Sequence, residues 1–209
     1  LFALRRAAQV RYVLPMSAKD DQESYADGER NAVRGFSAQY LIAGSLIYEA
    51  LLKDGLDWIR VADPDAGRLD DILVATTGRV DAYQVKWSEY EDRVTFNRLV
   101  ADDGAYPSAF GLLAQGWQRL SSAYPDRGVH VHYLTRDSAS SADSTGGEPA
   151  RGPRHLQAFL RHAFEHRSQW TADPAPAFVE EWRAPIDRIL EATGLEGDEL
   201  DRFLAACHL

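Results

Sequence analysis

Two short apolar runs joined by a tight turn constrain the middle of this 209-residue chain more than any other feature. Ile72-Leu73-Val74 leads through Thr77-Gly78-Arg79 into the segment Val80 to Lys86. Runs this short, separated by a Gly-containing turn, predict a β-hairpin. Side chains on a strand alternate between its two faces. Gln84 and Lys86 therefore share one face, while Tyr83, Val85 and Trp87 enter the opposite layer. The acidic pair Asp70-Asp71 opens the first strand, so folding back brings Asp71 toward Gln84 and Lys86.

Those residue types point to a definite chemistry. A carboxylate, an amide or carbonyl oxygen and the oxygens of a phosphate make a hard, oxygen-only site suited to Mg²⁺ or Mn²⁺. The Lys86 ammonium would orient or help activate an attacking water and offset charge on a phosphorane-like transition state. This is the residue set of a metal-dependent phosphodiesterase. The competing reading is a wet strand face carrying ordinary polar residues. Against it stands the apolar density of Val80, Ala82, Tyr83, Val85 and Trp87, which marks a central strand where an unexplained lysine is costly. Asp70 takes the place of Asp71 if the register slips by one residue. Pro64-Asp65 lies between Asp63 and Gly67 and reads as a turn.

A second acid is offered by the helix expected upstream. Residues Ala32 to Lys53 contain no proline, and Ile42, Leu46, Glu49 and Lys53 form one stripe at helical spacing. Tyr40, Gly44, Ile47 and Leu51 form another apolar stripe, so the helix reads as buried on most sides. A buried Glu49 needs a partner: either a metal ion or Lys53 at i,i+4.

Four segments together resemble a known family. They are Arg34-Gly35-Phe36-Ser37-Ala38-Gln39, Trp58-Ile59-Arg60-Val61-Ala62-Asp63, Leu69-Asp70-Asp71-Ile72 and Tyr83-Gln84-Val85-Lys86-Trp87. The set is similar to the PD-(D/E)xK nuclease superfamily. More narrowly it resembles the double-stranded-DNA endonuclease domain found in CBASS antiphage effectors and at the N-terminus of some Avs-type antiviral STAND NTPases. The resemblance covers roughly residues 30 to 135. It implies an α/β, restriction-endonuclease-like fold, with a small mixed sheet flanked by helices and a C-terminal helical extension. By position, Asp71 matches the aspartate, Gln84 the (D/E) position and Lys86 the lysine. Asp71, Glu49, Gln84 and Asp70 are then the candidate metal ligands, with Glu49 matching only the helix acid of many members. Gln84 departs from the usual acid and weakens charge neutralisation. The resemblance further implies double-stranded DNA cut with little sequence demand, sensor and NTPase domains in the same polypeptide, and a homo-oligomer when active. The rival reading is a catalytically inactive nuclease-fold interaction domain; an RNA-cutting enzyme on the same fold differs only in groove shape and 2'-OH contacts.

Charge qualifies the DNA reading. The formal net charge is -9, and phosphate contacts need Lys and Arg. Arg34, Arg68, Arg79 and Arg93 are the expected phosphate contacts, and with Arg30, Arg60, Lys86 and Arg98 they make a partial enrichment in or near the candidate segments. An acidic nuclease also suits a protein that is idle until assembled.

The remainder organises around this centre. A composition of 45% hydrophobic and 26% charged residues is that of a globular domain. No run of 18 apolar residues occurs, so no membrane span is expected. The lone Cys207 permits no internal disulfide and fits a cytoplasmic protein. Residues 1 to 29 read as a flexible or appended arm. Leu1 to Pro15 carries Arg5, Arg6 and Arg11, and the only methionine is Met16, a candidate initiator. The nuclease core spans 30 to 135, a long or disordered loop 136 to 153, and a helical extension packing on the core 154 to 209. A helix over 107 to 124 and a strand over 129 to 135 follow the hairpin. His162-Ala163-Phe164-Glu165-His166 matches a zinc-peptidase pattern, but for a third ligand the tail offers only Glu180, Glu181, Glu191, Glu196 and Glu199 without a supporting signature, so a solvated helix face is expected. His130 and His132 share a strand face and read as structural. Trp58, Trp87 and Trp117 read as core, while Trp170 and Trp182 fit no pattern.

Overall fold

A computed structural model describes residues 25–53, 55–63, 67, 69, 71–87, 91–102, 104, 107–143, 155–165 and 176–209, with side chains from 33 onward in the first helix and from 182 onward in the fifth. The chain runs α1 (Tyr25–Leu52), β1 (Leu56–Val61), β2 (Ile72–Thr76), β3 (Arg79–Lys86), β4 (Arg93–Val94), α2 (Phe96–Val100) and α3 (Ala109–Ala123). It continues through β5 (Gly128–Thr135), β6 (Ser138–Ala139), α4 (Leu156–His162), α5 (Pro176–Thr193), α6 (Gly197–Ala206) and β7 (Cys207–His208). Five strands form one mixed sheet in the order β1-β2-β3-β5-β7, and β4 pairs with β6 apart from it. The sheet is antiparallel from β1 to β3 and parallel from β3 to β7. This is the mixed α/β architecture expected, with helices flanking the sheet. No described helix is long and apolar enough to cross a membrane.

The hairpin forms in the expected register. Thr76 pairs with Arg79 and Ile72 with Tyr83, leaving Thr77-Gly78 as a two-residue turn. Gly78 has φ +77, a conformation that a Cβ would oppose. Because β3 lies between β2 and β5, both of its edges are hydrogen-bonded, and its alternating side chains feed two separate cores. On one face Leu73, Ala75, Val80 and Ala82 pack with Phe96, Phe110, Leu113, Phe159 and Phe203 from the later helices. On the other, Ile72, Val74 and Val85 pack under Ala43, Ile42 and Leu46 of α1.

Several boundaries differ from the sequence reading. Helix α1 already begins at Tyr25, so the proposed arm through residue 29 is too long; residues 1–24 lie outside the described residues. Of the proposed loop, residues 144–153 lie outside the described residues, and 136–143 are described and ordered. There β6 pairs with β4, and the Asp143 carboxylate accepts from Phe96 N–H (2.6 Å) and Leu156 N–H (3.1 Å), so it holds the first turns of α2 and α4 together. The C-terminal helices share the sheet's core, where Phe159, Ile189, Phe203 and Leu204 are buried. Trp117 and Trp182 are buried and Trp58 packs on the core edge, but Trp87 is half exposed, because β3 ends at Lys86 and the next residue leaves the sheet. Trp170 lies outside the described residues.

One close approach fixes the start of β2. Leu69 is fully buried against α3 at Gly116, where an added Cβ would stand 2.7 Å from the Leu69 Cβ and 2.5 Å from its Cδ2. Only glycine lets Leu69 seat at this depth, two residues before Asp71. Gly116→Val therefore lowers unfolding free energy by about 1 to 3 kcal/mol through overpacking, measured by urea unfolding; an unchanged midpoint would contradict this packing.

Candidate functional site

Asp71 stands just before β2, in the position that continues its pairing register to Gln84. Its backbone carbonyl accepts from Ala62 N–H at 3.1 Å. Ala62 closes β1 with φ +54, a left-handed conformation costing a Cβ-bearing residue about 1–2 kcal/mol. The Asp71 carboxylate is gripped from three directions. Its Oδ1 accepts from Gln39 Nε2 at 2.7 Å; its Oδ2 accepts from Val85 N–H at 2.7 Å and from Gln84 Nε2. Helix α1 and strand β3 thus meet at one carboxylate. Turning their NH₂ groups onto Asp71 leaves the Oε1 atoms of Gln39 and Gln84 buried with no hydrogen-bond partner among the described residues.

Two orphaned amide oxygens beside a carboxylate are chemically informative. A buried acceptor without a donor costs about 1–3 kcal/mol, and native structures rarely leave one without a reason. Oxygen-only donors with a single carboxylate suit Mg²⁺, which binds through one or two carboxylates plus phosphate oxygens. One carboxylate and two amide oxygens are donors of the type a hard divalent cation takes, while as the side chains lie it is their NH₂ groups that face Asp71. The described residues contain no group of three or more His, Cys, Asp or Glu placed to hold a metal; the Asp71 group differs in kind, as one carboxylate with two amides. Lys86 is exposed at the end of β3, two residues beyond Gln84 and on the same face. Next to it Trp87 is exposed, with the Arg136 guanidinium 5.2 Å from its ring centroid.

The structure brings Asp71 and Gln84 into contact and leaves Lys86 exposed two residues further along β3 on the same face. It does not bring Glu49. That residue is ten positions beyond Gln39 on α1, about 15 Å along the axis at 1.5 Å per residue, and it is exposed. It borders a cavity with Lys53, Arg79, Asp81 and Tyr83 instead. The helix residue that reaches Asp71 is Gln39. Sequence reasoning passed over it, although Gln39 continues the stripe of Ala43, Leu46 and Ala50 at spacings of four, three and four. A polar residue in an apolar phase was the available signal.

The expected phosphate contacts are similarly divided. Arg79 lies five residues from Gln84 along β3, about 17 Å at 3.3–3.4 Å per residue, and on the other face. There its guanidinium binds both oxygens of Asp81, at 2.7 and 2.5 Å. It is a structural cation and not part of the Asp71 site. Arg34 on α1 and Arg93 on β4 are exposed. Asp70 and Arg68 lie outside the described residues, as does the side chain of Arg30. Arg60 binds Asp63 at 2.9 Å and stacks over Trp58.

The histidines are accounted for on the Arg79 face. His132 Nε2 lies 2.6 Å from Asp81, and its ring stacks between Tyr83 and His208. His130 Nδ1 is 3.1 Å from His208 Nε2. Burial alone would raise the Asp81 carboxyl, but hydrogen bonds and charge from His132 and Arg79 outweigh it and hold it below its ordinary value. Burial pushes Tyr83 well above the usual phenol range. His162 is exposed and α4 ends there, so His162 and Glu165 do not share a continuous helix; His166 lies outside the described residues.

No protein-family model, curated protein or solved structure matches this chain.

Burial, reinforced by the Arg79 charge, lowers the His130 imidazole below its ordinary value, with Asp81 opposing in part. The folded state thus favours the neutral ring. Its stabilisation is complete above the unfolded pKa of about 6.5 and is lost as pH falls below it, because the unfolded chain then binds the extra proton. Urea unfolding between about pH 7.5 and about pH 5.5 will show a smaller loss of stability in His130→Gln than in the wild type; equal losses would contradict this assignment.

Proposed function

We propose that the chain is a Mg²⁺- or Mn²⁺-dependent endonuclease with a restriction-endonuclease-like fold, hydrolysing phosphodiester bonds of double-stranded DNA with little sequence demand. The observation that carries this reading is the pair of orphaned amide oxygens of Gln39 and Gln84 around Asp71. Asp71, Gln84 and Gln39 would hold the cation. When bound, it supplies Lewis acidity toward a phosphoryl oxygen. Lys86 presents its ammonium on the same face, where it donates hydrogen bonds to a non-bridging phosphate oxygen or orients the attacking water. Val85 N–H fixes the Asp71 carboxylate before substrate arrives, and the Gln39 and Gln84 amides, whose NH₂ groups face it, would turn their oxygens to the cation on binding. Trp87 and Arg136 offer a ring and a cation next to Lys86, a pairing suited to a nucleotide.

The wider role follows from charge. With a net charge of -9 and Arg79 engaged by Asp81, one copy has few cations to spend on phosphates, and its duplex affinity is low. Avidity from assembly would supply the remainder. This suits the effector domain of a larger antiphage defence protein, with sensor and NTPase domains in the same polypeptide. A second reading, the catalytically inactive interaction domain, is favoured by one observation: Glu49 stands away from Asp71, which leaves a single described carboxylate at the site.

Plasmid and RNA degradation in Mg²⁺ separates these readings. Wild type cleaves duplex DNA, and Lys86→Ala and Asp71→Asn each lower the rate by about 10²-fold or more, the size of a lost acid–base or electrostatic contribution. Gln39→Ala lowers it as well, whereas Glu49→Ala stays close to wild type. Cleavage retained in Lys86→Ala would overturn the role of Lys86; no cleavage by wild type, alone or assembled, would favour the inactive domain.

A further inference from the structure

Gln84 and Lys86 have neighbours on the next strand. In the parallel pairing of β3 with β5, Tyr133 stands beside Gln84 and Thr135 beside Lys86, one strand spacing away, about 4.8 Å. Tyr133 and Thr135 line a cavity of about 310 Å³ in which the Asp71 group has no part. Leu99 of α2, Leu156 and Leu160 of α4 and Ala139 of β6 supply its apolar walls. The polar groups are gathered at the strand end. Asp137 also lines the cavity; its side chain is 4% exposed, accepts from Asp92 N–H at 3.0 Å and lies 3.8 Å from the half-exposed Arg98 guanidinium. Burial raises the Tyr133 phenol above its ordinary value, so it keeps its proton and can donate. Lys86, Trp87 and Arg136 are exposed at the same ends of β3 and β5. The volume is at the low end of ligand pockets, which run from about 300 to about 1,000 Å³. It suits one ring system and not a length of chain.

We propose that this cavity takes the base of a nucleotide, with the ring among Leu99, Leu156 and Leu160, an amino-bearing ring edge on Asp137 and the phosphate at Arg98. Three observations favour that ligand. Apolar walls suit the faces of a planar ring, and a buried carboxylate suits an N–H donor on its edge, such as the adenine amino group; a purely aliphatic ligand offers Asp137 and Tyr133 no hydrogen bond. Arg98 beside Asp137 supplies the cation a phosphate takes. Lys86, Trp87 and Arg136 continue the same charge and stacking chemistry along the strand ends. The nucleotide belongs to a nucleic-acid strand crossing those ends or is a free mononucleotide, and the recognition chemistry is common to both. The site goes beyond the nuclease reading and stands without it. One consequence does rest on that reading: a base held here cannot be paired, so a duplex nucleotide beside the cut leaves the stack.

Binding to the full chain in EDTA, where a metal-dependent site cuts nothing, tests the cavity without reference to activity. In calorimetry dAMP binds, and deoxyribose phosphate, which lacks the base, binds at least tenfold more weakly. Replacing dAMP by dTMP, which carries a carbonyl where adenine carries its amino group, also weakens binding. Magnetisation transfer from the adenine protons reaches the Leu156 and Leu160 methyl groups in the wild type. Ala139→Leu and Leu160→Trp fill the cavity and lower dAMP affinity by about tenfold or more, while the thermal transition is kept. Arg98→Ala weakens dAMP but not deoxyadenosine, which has no phosphate. A duplex with one bulged adenine separates the two sources: tighter binding than to the fully paired duplex, lost in Ala139→Leu, assigns the site to a strand, and no gain from the bulge assigns it to the free mononucleotide. Equal binding of dAMP and deoxyribose phosphate overturns the proposal. So does the absence of transfer to Leu156 and Leu160 from dAMP and from the bulged adenine alike, or undiminished affinity in a folded Ala139→Leu. A chain that binds dAMP here but cuts nothing in Mg²⁺ keeps the base site and loses the nuclease reading instead.

Discussion

Three N–H donors from two parts of the chain, Gln39 on α1 and both Gln84 and the Val85 backbone on β3, converge on the Asp71 carboxylate. The surrounding structure is arranged to make that convergence possible. Leu69 is sunk against Gly116 on one side of the sheet, and Ile72 is buried under α1 on the other. Between these two anchors Asp71 has one place to go. Ala62 N–H takes its carbonyl, and β1 accepts a left-handed residue to make that bond. Hydrogen bonds to an ionised group are the strong ones, so the carboxylate is a point where helix, hairpin and strand edge are tied together.

The central strand keeps two polar systems apart. One face of β3 carries Gln84 and Lys86 at its end; the other carries Arg79 and Asp81 at its beginning, with His132 and His208 from the parallel strands behind them. Asp81 is paired with Arg79 and hydrogen-bonded to His132 inside the fold, which makes it a closed structural network. The Asp71 group is incomplete by comparison, because two of its buried acceptors lack donors. That contrast between a satisfied cluster and an unsatisfied one is why we propose the Asp71 group, and not the Asp81 group, as the site.

Much of this was legible in the residues. The hairpin, its register and the meeting of Asp71 with Gln84 follow from strand alternation and one glycine turn, both local effects. The helix acid was misplaced for an equally physical reason. Apolar residues lie on nearly every side of α1, so periodicity could not say which stripe faces the sheet, and Glu49 was read as inward when Gln39 is. Arg79 was counted as a phosphate contact because its partner Asp81, two residues away on the same strand face, went unnoticed. Strand β7 is two residues long at the end of a helix, and its place beside β5 depends on contacts across the whole chain that no local pattern carries. Trp87 has the apolar phase of β3, but the strand stops one residue before it.

The claim on which the functional account turns is that Asp71, Gln39 and Gln84 form a cation pocket. The side-chain NH₂ resonances of the two glutamines report on it directly, since paramagnetic Mn²⁺ broadens nuclei near its binding site. Titration of the isotopically labelled chain is predicted to broaden the Gln39 and Gln84 side-chain signals saturably, with recovery on addition of excess Mg²⁺ and no such effect in Asp71→Asn. Signals from Gln39 and Gln84 that stay sharp while Mn²⁺ broadens only other parts of the protein would contradict it.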